Sequence, residues 1–179
     1  MNALPDFIAE AVRVCTDGFR FGWHERNAGN ITLRLRAGDS ASLLDAAGPS
    51  FPLALSCPEL AGAAFLSSVS GCHFRDMEAE PERALCICVL DARGENARIV
   101  WGASGEGRPT SEFCAHLRAH ALLRESGRNA IYHCHPAAVA ALSFLLPVSD
   151  RALTRALWKS ETEGAFVFPE GVGAVGPLV

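Results

Sequence analysis

A chain of 179 residues is about one domain of ordinary size, and 49% hydrophobic with 20% charged residues is a globular composition, which excludes a disordered tail, a collagen-like rod or an acidic solvating segment. Sixteen Lys and Arg against twenty Asp and Glu leave a net charge of −4 with no basic run, so a nucleic-acid partner is not expected. Seven cysteines, an odd number without a CxxC pair, lie mostly in apolar stretches and read as reduced thiols of a cytoplasmic protein. The start, MNALPDFIAEAVR, places Asp6 and Glu10 before its first basic residue, Arg13, unlike a signal peptide. The longest uncharged stretch, residues 129–149, is interrupted by two His, two Pro, Asn129 and two Ser. Neither a leader nor a membrane span is expected.

In chain order, Phe7, Ile8, Ala11, Val12 and Cys15 recur at three- and four-residue spacing and predict a helix over Asp6–Gly18. The turn GWHERNAGN leads into an alternating strand at Ile31–Arg36. Residues 37–60 are rich in Gly, Pro, Ser and Ala without a period, and a strand at Ala63–Leu66 ends in SSVSG. Ala84–Leu90 and Ala97–Trp101, joined through Gly94, predict an antiparallel hairpin. Pro109-Thr110-Ser111 opens a helical segment reaching about Ser126, stopped by Gly127, and Asn129–His133 reads as a strand. Helices at Ala137–Leu146 and Asp150–Lys159 and a last strand at Ala165–Phe168 complete an α/β fold, helices layered on a mainly antiparallel sheet.

The sharpest chemical feature is Tyr132-His133-Cys134-His135-Pro136. On a strand, residues i and i+2 share a face about 6.6 Å apart, which lets two imidazoles converge on one divalent cation such as zinc. The alternative is a pair of partly buried histidines satisfied by backbone carbonyls. A binuclear hydrolase pattern is disfavoured, because it needs an acid and an imidazole where Ala137 and Ala138 stand. Glu112, His116 and His120, at i, i+4 and i+8, form one polar ridge on a helix. Glu112 is either a base beside a metal or a first-turn carboxylate complementing the helix dipole. His116 and His120 are either ligands or a polar pair facing a neighbouring element. Asn27 to Asn30, Ser67 to Gly71, and Thr110 with Ser111 are each ordinary turns and caps, yet together they offer amides, hydroxyls and backbone N–H groups suited to a phosphorylated ligand.

The segments GWHERNAGNITLRL, VWGASGEGRPTSE, IYHCHPAAVAAL and FVFPEGVG, in this order and across nearly the whole chain, resemble the class II aldolase/adducin family. The resemblance implies a single class II aldolase-like domain over residues 1–179. It implies that His133 and His135 are two zinc-ligand histidines, that Glu112 is the catalytic acid/base, and that Asn27, Asn30, Ser70, Gly71, Thr110 and Ser111 surround the substrate phosphate. The implied reaction is cleavage of L-rhamnulose 1-phosphate into dihydroxyacetone phosphate and L-lactaldehyde through a metal-stabilised enediolate, with one zinc per subunit, in a cytoplasmic homo-oligomer of the tetrameric kind.

Two positions depart from the pattern of that family: Ala28 stands where a first glycine is common, and His24 where an acidic residue is familiar. All six histidines lie at or before residue 135, whereas family members continue past the point matching Val179 into a segment with a third zinc-ligand histidine. The resemblance therefore implies a chain shortened at its C-terminus, with weak metal binding unless Glu112, His116 or another subunit completes the site, and with exposed apolar edges that favour association. Two other readings on the same scaffold are a non-catalytic adducin-like module and a pentulose-5-phosphate epimerase.

Overall fold

The computed structural model describes residues 4–41, 45–160 and 163–175, in two compact units, Met1–His135 and Pro136–Val179. In the first, helix α1 (Asp6–Arg20) runs slightly past the predicted end and buries Ile8, Ala11, Val12 and Cys15, four of the five apolar positions that its spacing singled out, with Phe7 half-buried at the edge of the same core. Strand β1 (Asn30–Arg34) is followed by short α2 (Ala37–Ser40), β2 (Ser50–Pro52), a 3-10 turn at Pro58–Leu60, β3 (Ala64–Ser68), a second 3-10 turn at Phe74–Asp76, short α3 (Pro81–Ala84), β4 (Leu85–Leu90) and β5 (Asn96–Gly102). Then come α4 (Phe113–Leu122), a 3-10 turn at Arg124–Ser126, and β6 (Ala130–His133).

The six strands form one sheet in the order β2-β5-β4-β3-β1-β6, and every pairing is antiparallel. The β4–β5 hairpin forms where the two β-type runs predict it. Asp91 organises its loop: Oδ1 accepts from the backbone N–H groups of Arg93 and Glu95, each at 3.0 Å, and Oδ2 accepts from Asn96 Nδ2 at 2.7 Å.

Alternation along the strands sorts side chains into two cores. Ile31, Leu66, Leu85 and Ile87 pack with Ile8, Val12 and Cys15 of α1 on one face of the sheet. Phe65, Cys86, Cys88, Leu90 and Ile99 pack with Phe113 and Leu117 of α4 on the other. The first unit is therefore a helix–sheet–helix sandwich, and β1 carries apolar residues toward α1 and polar ones, Asn30 and Thr32, toward α4.

Helix α4 begins at Phe113, later than the Pro109-Thr110-Ser111 start read from sequence, because the chain there still belongs to the sheet. Thr110 N–H donates to Ser68 O at 2.8 Å, and Pro109 bridges to Val69. Gly127, at φ +73°, ends the helical segment as expected. The unit Pro136–Val179 holds α5 (Ala137–Ser143), α6 (Asp150–Ser160) and α7 (Gly164–Val167).

The strand expected at Ala165–Phe168 is the helical turn α7. A four-residue apolar run does not separate strand from helix by its period, and here it packs on α6: Trp158 Nε1 donates to Phe168 O at 3.3 Å, and Gly164 lies against Leu157 and Trp158. All seven cysteines are free thiols, and among the described residues no helix is long and apolar enough to cross a membrane.

Candidate active site

The site grows from the polar face of β1. Asn30 and Thr32, two residues apart, face α4, whose Glu112, His116 and His120 are spaced one helical turn apart and lie along that same stretch of strand. Register then adds β6: Asn30 pairs with His133, so both side chains leave the same face of the sheet. The polar ridge read from the sequence of α4 is thus an inner wall. His116 is 6% exposed and His120 fully buried, both hydrogen-bonded to Thr32 Oγ1 at 2.9 Å.

Glu112 occupies the N-cap position of α4 but makes no side-chain cap hydrogen bond. Its Oε2 instead accepts from His133 Nδ1 at 2.9 Å and lies 3.6 Å from His116 Nε2. Burial opposes ionisation of Glu112, but the hydrogen bonds from Asn30 and His133 and the nearby His133 and His116 outweigh it and hold the carboxyl below its ordinary value. Burial lowers His116 against the pull of Glu112, and it lowers His120 to about 4, with Arg34 and His116 acting in the same direction.

Strand β6 stops at His133, and His135 is set beyond it by a backbone hydrogen bond from its N–H to Trp23 O at 2.8 Å. The His133 and His135 rings nevertheless lie side by side, their centroids 4.7 Å apart and tilted 33°. Because His133 Nδ1–H donates to Glu112, its Nε2 carries the free lone pair, the arrangement common in ligating histidines backed by a carboxylate. His135 has no side-chain hydrogen bond among the described residues. Two imidazole donors, one with its tautomer set by a carboxylate, suit a divalent transition metal, for which His133 and His135 would be the holders. Among the described residues, no group of three or more His, Cys, Asp or Glu side chains is arranged to hold a metal.

The turn Asn27–Gly29 is braced from behind by His24. Its Nδ1–H donates to Ala28 O at 2.9 Å, and its Nε2 accepts from the Tyr132 hydroxyl, while the ring packs on Phe74. Burial lowers the His24 imidazole, which the Ala28 carbonyl partly offsets, so the ring stays neutral. Gly29 adopts φ +87°, and a Cβ there would come within 2.5 Å of His133 O, so the turn presses directly on the His133 backbone.

Asn27, Asn30, Ser70, Gly71, Thr110, Ser111, Glu112, His133 and His135 all line one concavity of about 280 Å³, together with Ala28, Gly29 and Val69 to Cys72. The nine residues that the resemblance implies for the site are therefore brought to one place, although Asn27 and His135 lie 108 residues apart along the chain, whereas His116 and His120 do not line it. Among the described residues no Lys or Arg lines the concavity, so an anion there would be met by amides, hydroxyls and backbone N–H groups. Asn30 Oδ1 is buried without a hydrogen-bond partner among the described residues, leaving an acceptor at the wall. Thr32 and Tyr132 were not singled out as site residues from sequence. The signal for Thr32 was its i+2 relation to Asn30 on an alternating strand, whereas nothing in the local sequence pairs Tyr132 with His24.

The fold and this site define a class. The family model for the Class II Aldolase and Adducin N-terminal domain matches residues 9–173, and the chain belongs to that family. Among its relatives, rhamnulose-1-phosphate aldolase of Pectobacterium atrosepticum is 36% identical over 97% of this chain and 65% of that protein. Rhamnulose-1-phosphate aldolase of Escherichia coli O157:H7 is 36% identical with the same coverage. The crystal structure of a sugar-phosphate aldolase from Thermotoga maritima superposes with a TM-score of 0.75 at 26% identity, over 95% of this chain and 71% of that one. The chain thus spans 65% of the length of the curated relatives it matches.

Proposed function

We propose that this chain carries the site of a zinc-dependent aldolase that cleaves L-rhamnulose 1-phosphate to dihydroxyacetone phosphate and L-lactaldehyde. The observation that carries this reading is the Glu112–His133–His135 cluster in the same concavity as the three donor-rich turns. The match of the family across both compact units supports treating residues 1–179 as one domain of this class. A divalent metal held by His133 and His135 would supply Lewis acidity toward the ketose carbonyl.

The residues of the chain do the rest. Asn27, Ser70, Gly71, Thr110 and Ser111 bind the phosphate and fix the register of the sugar along the wall. Cleavage removes the proton of the C4 hydroxyl, turns that oxygen into the aldehyde carbonyl as the C3–C4 bond breaks, and returns a proton to C3 of the phosphorylated product. Glu112, ionised and set between His133 and His116, is the group able to hold and move such a proton. Exposed Phe144, Leu145, Phe166 and Val167 support self-association.

The test is to incubate the full chain with zinc and L-rhamnulose 1-phosphate and assay dihydroxyacetone phosphate. Turnover is expected, falling about 10²–10⁴-fold in Glu112→Gln, and zinc retention after dialysis should be lost in His133→Ala and His135→Ala. A chain that binds the sugar phosphate without turnover would favour the non-catalytic, adducin-like reading, for which the two-histidine donor set is the specific motive. Epimerisation of a separately supplied pentulose 5-phosphate, with no cleavage of the rhamnulose ester, would favour the epimerase.

A further inference from the structure

We propose that His120, Thr32 and His116 form a directed chain of hydrogen-bond donors that ends on Glu112, which makes His116 a positioning residue for that carboxylate. The inference rests on the reading of Glu112 given above, but its geometry stands independently.

The supply of protons sets the direction of the chain. Thr32 Oγ1 lies 2.9 Å from His116 Nδ1 and 2.9 Å from His120 Nε2, and a hydroxyl has one proton to give. With both rings neutral, at most one can accept from Thr32, and its hydroxyl meets no other partner among the described residues, so one imidazole accepts from Thr32 and the other donates to it. If His116 Nδ1–H were the donor, its Nε2 lone pair would face the Glu112 oxygen at 3.6 Å, and His120 would carry its proton on Nδ1, which is buried without a partner. That arrangement sets a lone pair against a carboxylate and leaves a buried N–H orphaned.

The reverse arrangement removes both penalties. His120 Nε2–H donates to Thr32, Thr32 O–H donates to His116 Nδ1, and His116 Nε2–H points at Glu112 Oε2. Only a bare acceptor, His120 Nδ1, is left without a partner. Burial disfavours the charged form of both imidazoles, in line with the counting. At 3.6 Å the last contact is an oriented electrostatic one rather than a full hydrogen bond. Its consequence is that Oε2 faces N–H groups from both His116 and His133, which aims a side chain that makes no cap bond to its own helix.

The test is nitrogen-edited NMR of the imidazole rings in the full chain at neutral pH. The expected result is the neutral Nε2–H tautomer at both His116 and His120. Thr32→Val should abolish that uniform pattern at His116, and Thr32→Ser should restore it. In the aldolase assay, Thr32→Val should lower kcat about tenfold with KM little changed, a size typical of losing an oriented partner behind a functional group, and Thr32→Ser should recover it. An Nδ1–H tautomer or an imidazolium at His116 in the unmodified chain overturns the proposal, even if Thr32→Val fails to fold. So does a His116 pattern indifferent to a folded Thr32→Val. The tautomers are read without turnover, so an inactive chain would overturn the function reading while the spectra still decide this one.

Discussion

Glu112 illustrates how one residue acquires a role from its neighbours. At a helix start a carboxylate ordinarily complements exposed N–H groups, yet here it turns to His133 and His116 and leaves the cap unmade. His24 shows the same logic on the other side of the sheet, where one neutral ring holds the Ala28 carbonyl and the Tyr132 hydroxyl together. His24→Phe keeps a ring against Phe74 but leaves both polar groups unpartnered, so it should lower stability by about 2 kcal/mol in urea titration. It should also raise KM for the phosphorylated substrate more than it lowers kcat, because the turn it braces binds rather than reacts. The two roles of Glu112 that local sequence left open are separated only by the partners across the sheet.

At the scale of elements, β1 is the organising strand. Its alternation directs Ile31 into the core under α1 and Asn30 and Thr32 toward α4, so one strand serves both a core and a site. The β4–β5 hairpin supports it at a distance and is sensitive at Gly102, where φ is +72° and a Cβ would sit 2.1 Å from Leu85 O. Gly102→Ala should therefore lower the unfolding free energy by about 1–3 kcal/mol in equilibrium denaturation, through left-handed strain and the backbone clash together. The helices and the hairpin were legible because their apolar periods are long. The error at α7 has the opposite cause: four apolar residues carry no period, and packing on α6 decides their conformation.

For the molecule as a whole, three buried imidazoles, His24, His116 and His120, make folding depend on pH. Each has its native value lowered, His120 to about 4 against about 6.5 in an unfolded chain, so the native state binds fewer protons in between. The stability these rings contribute is complete above about pH 6.5 and is lost as pH falls toward 4, with His120 alone accounting for about 3 kcal/mol. Urea midpoints measured at pH 7 and pH 5 should show a clear drop at the lower value, and His120→Asn should flatten it.

Sequence by itself determined the fold class and the long elements, because periodicity is a property of neighbouring residues in a chain, and its motifs, through the family they resemble, pointed to nine of the residues that line the concavity. It left open whether Glu112 caps a helix or faces a base, whether His116 and His120 are ligands or packed side chains, and what His24 does. The tertiary structure decided these, since each depends on strand register and on which face of β1 meets which helix. Those relations join residues 21 to 108 positions apart, and no local pattern of apolar and polar residues encodes them.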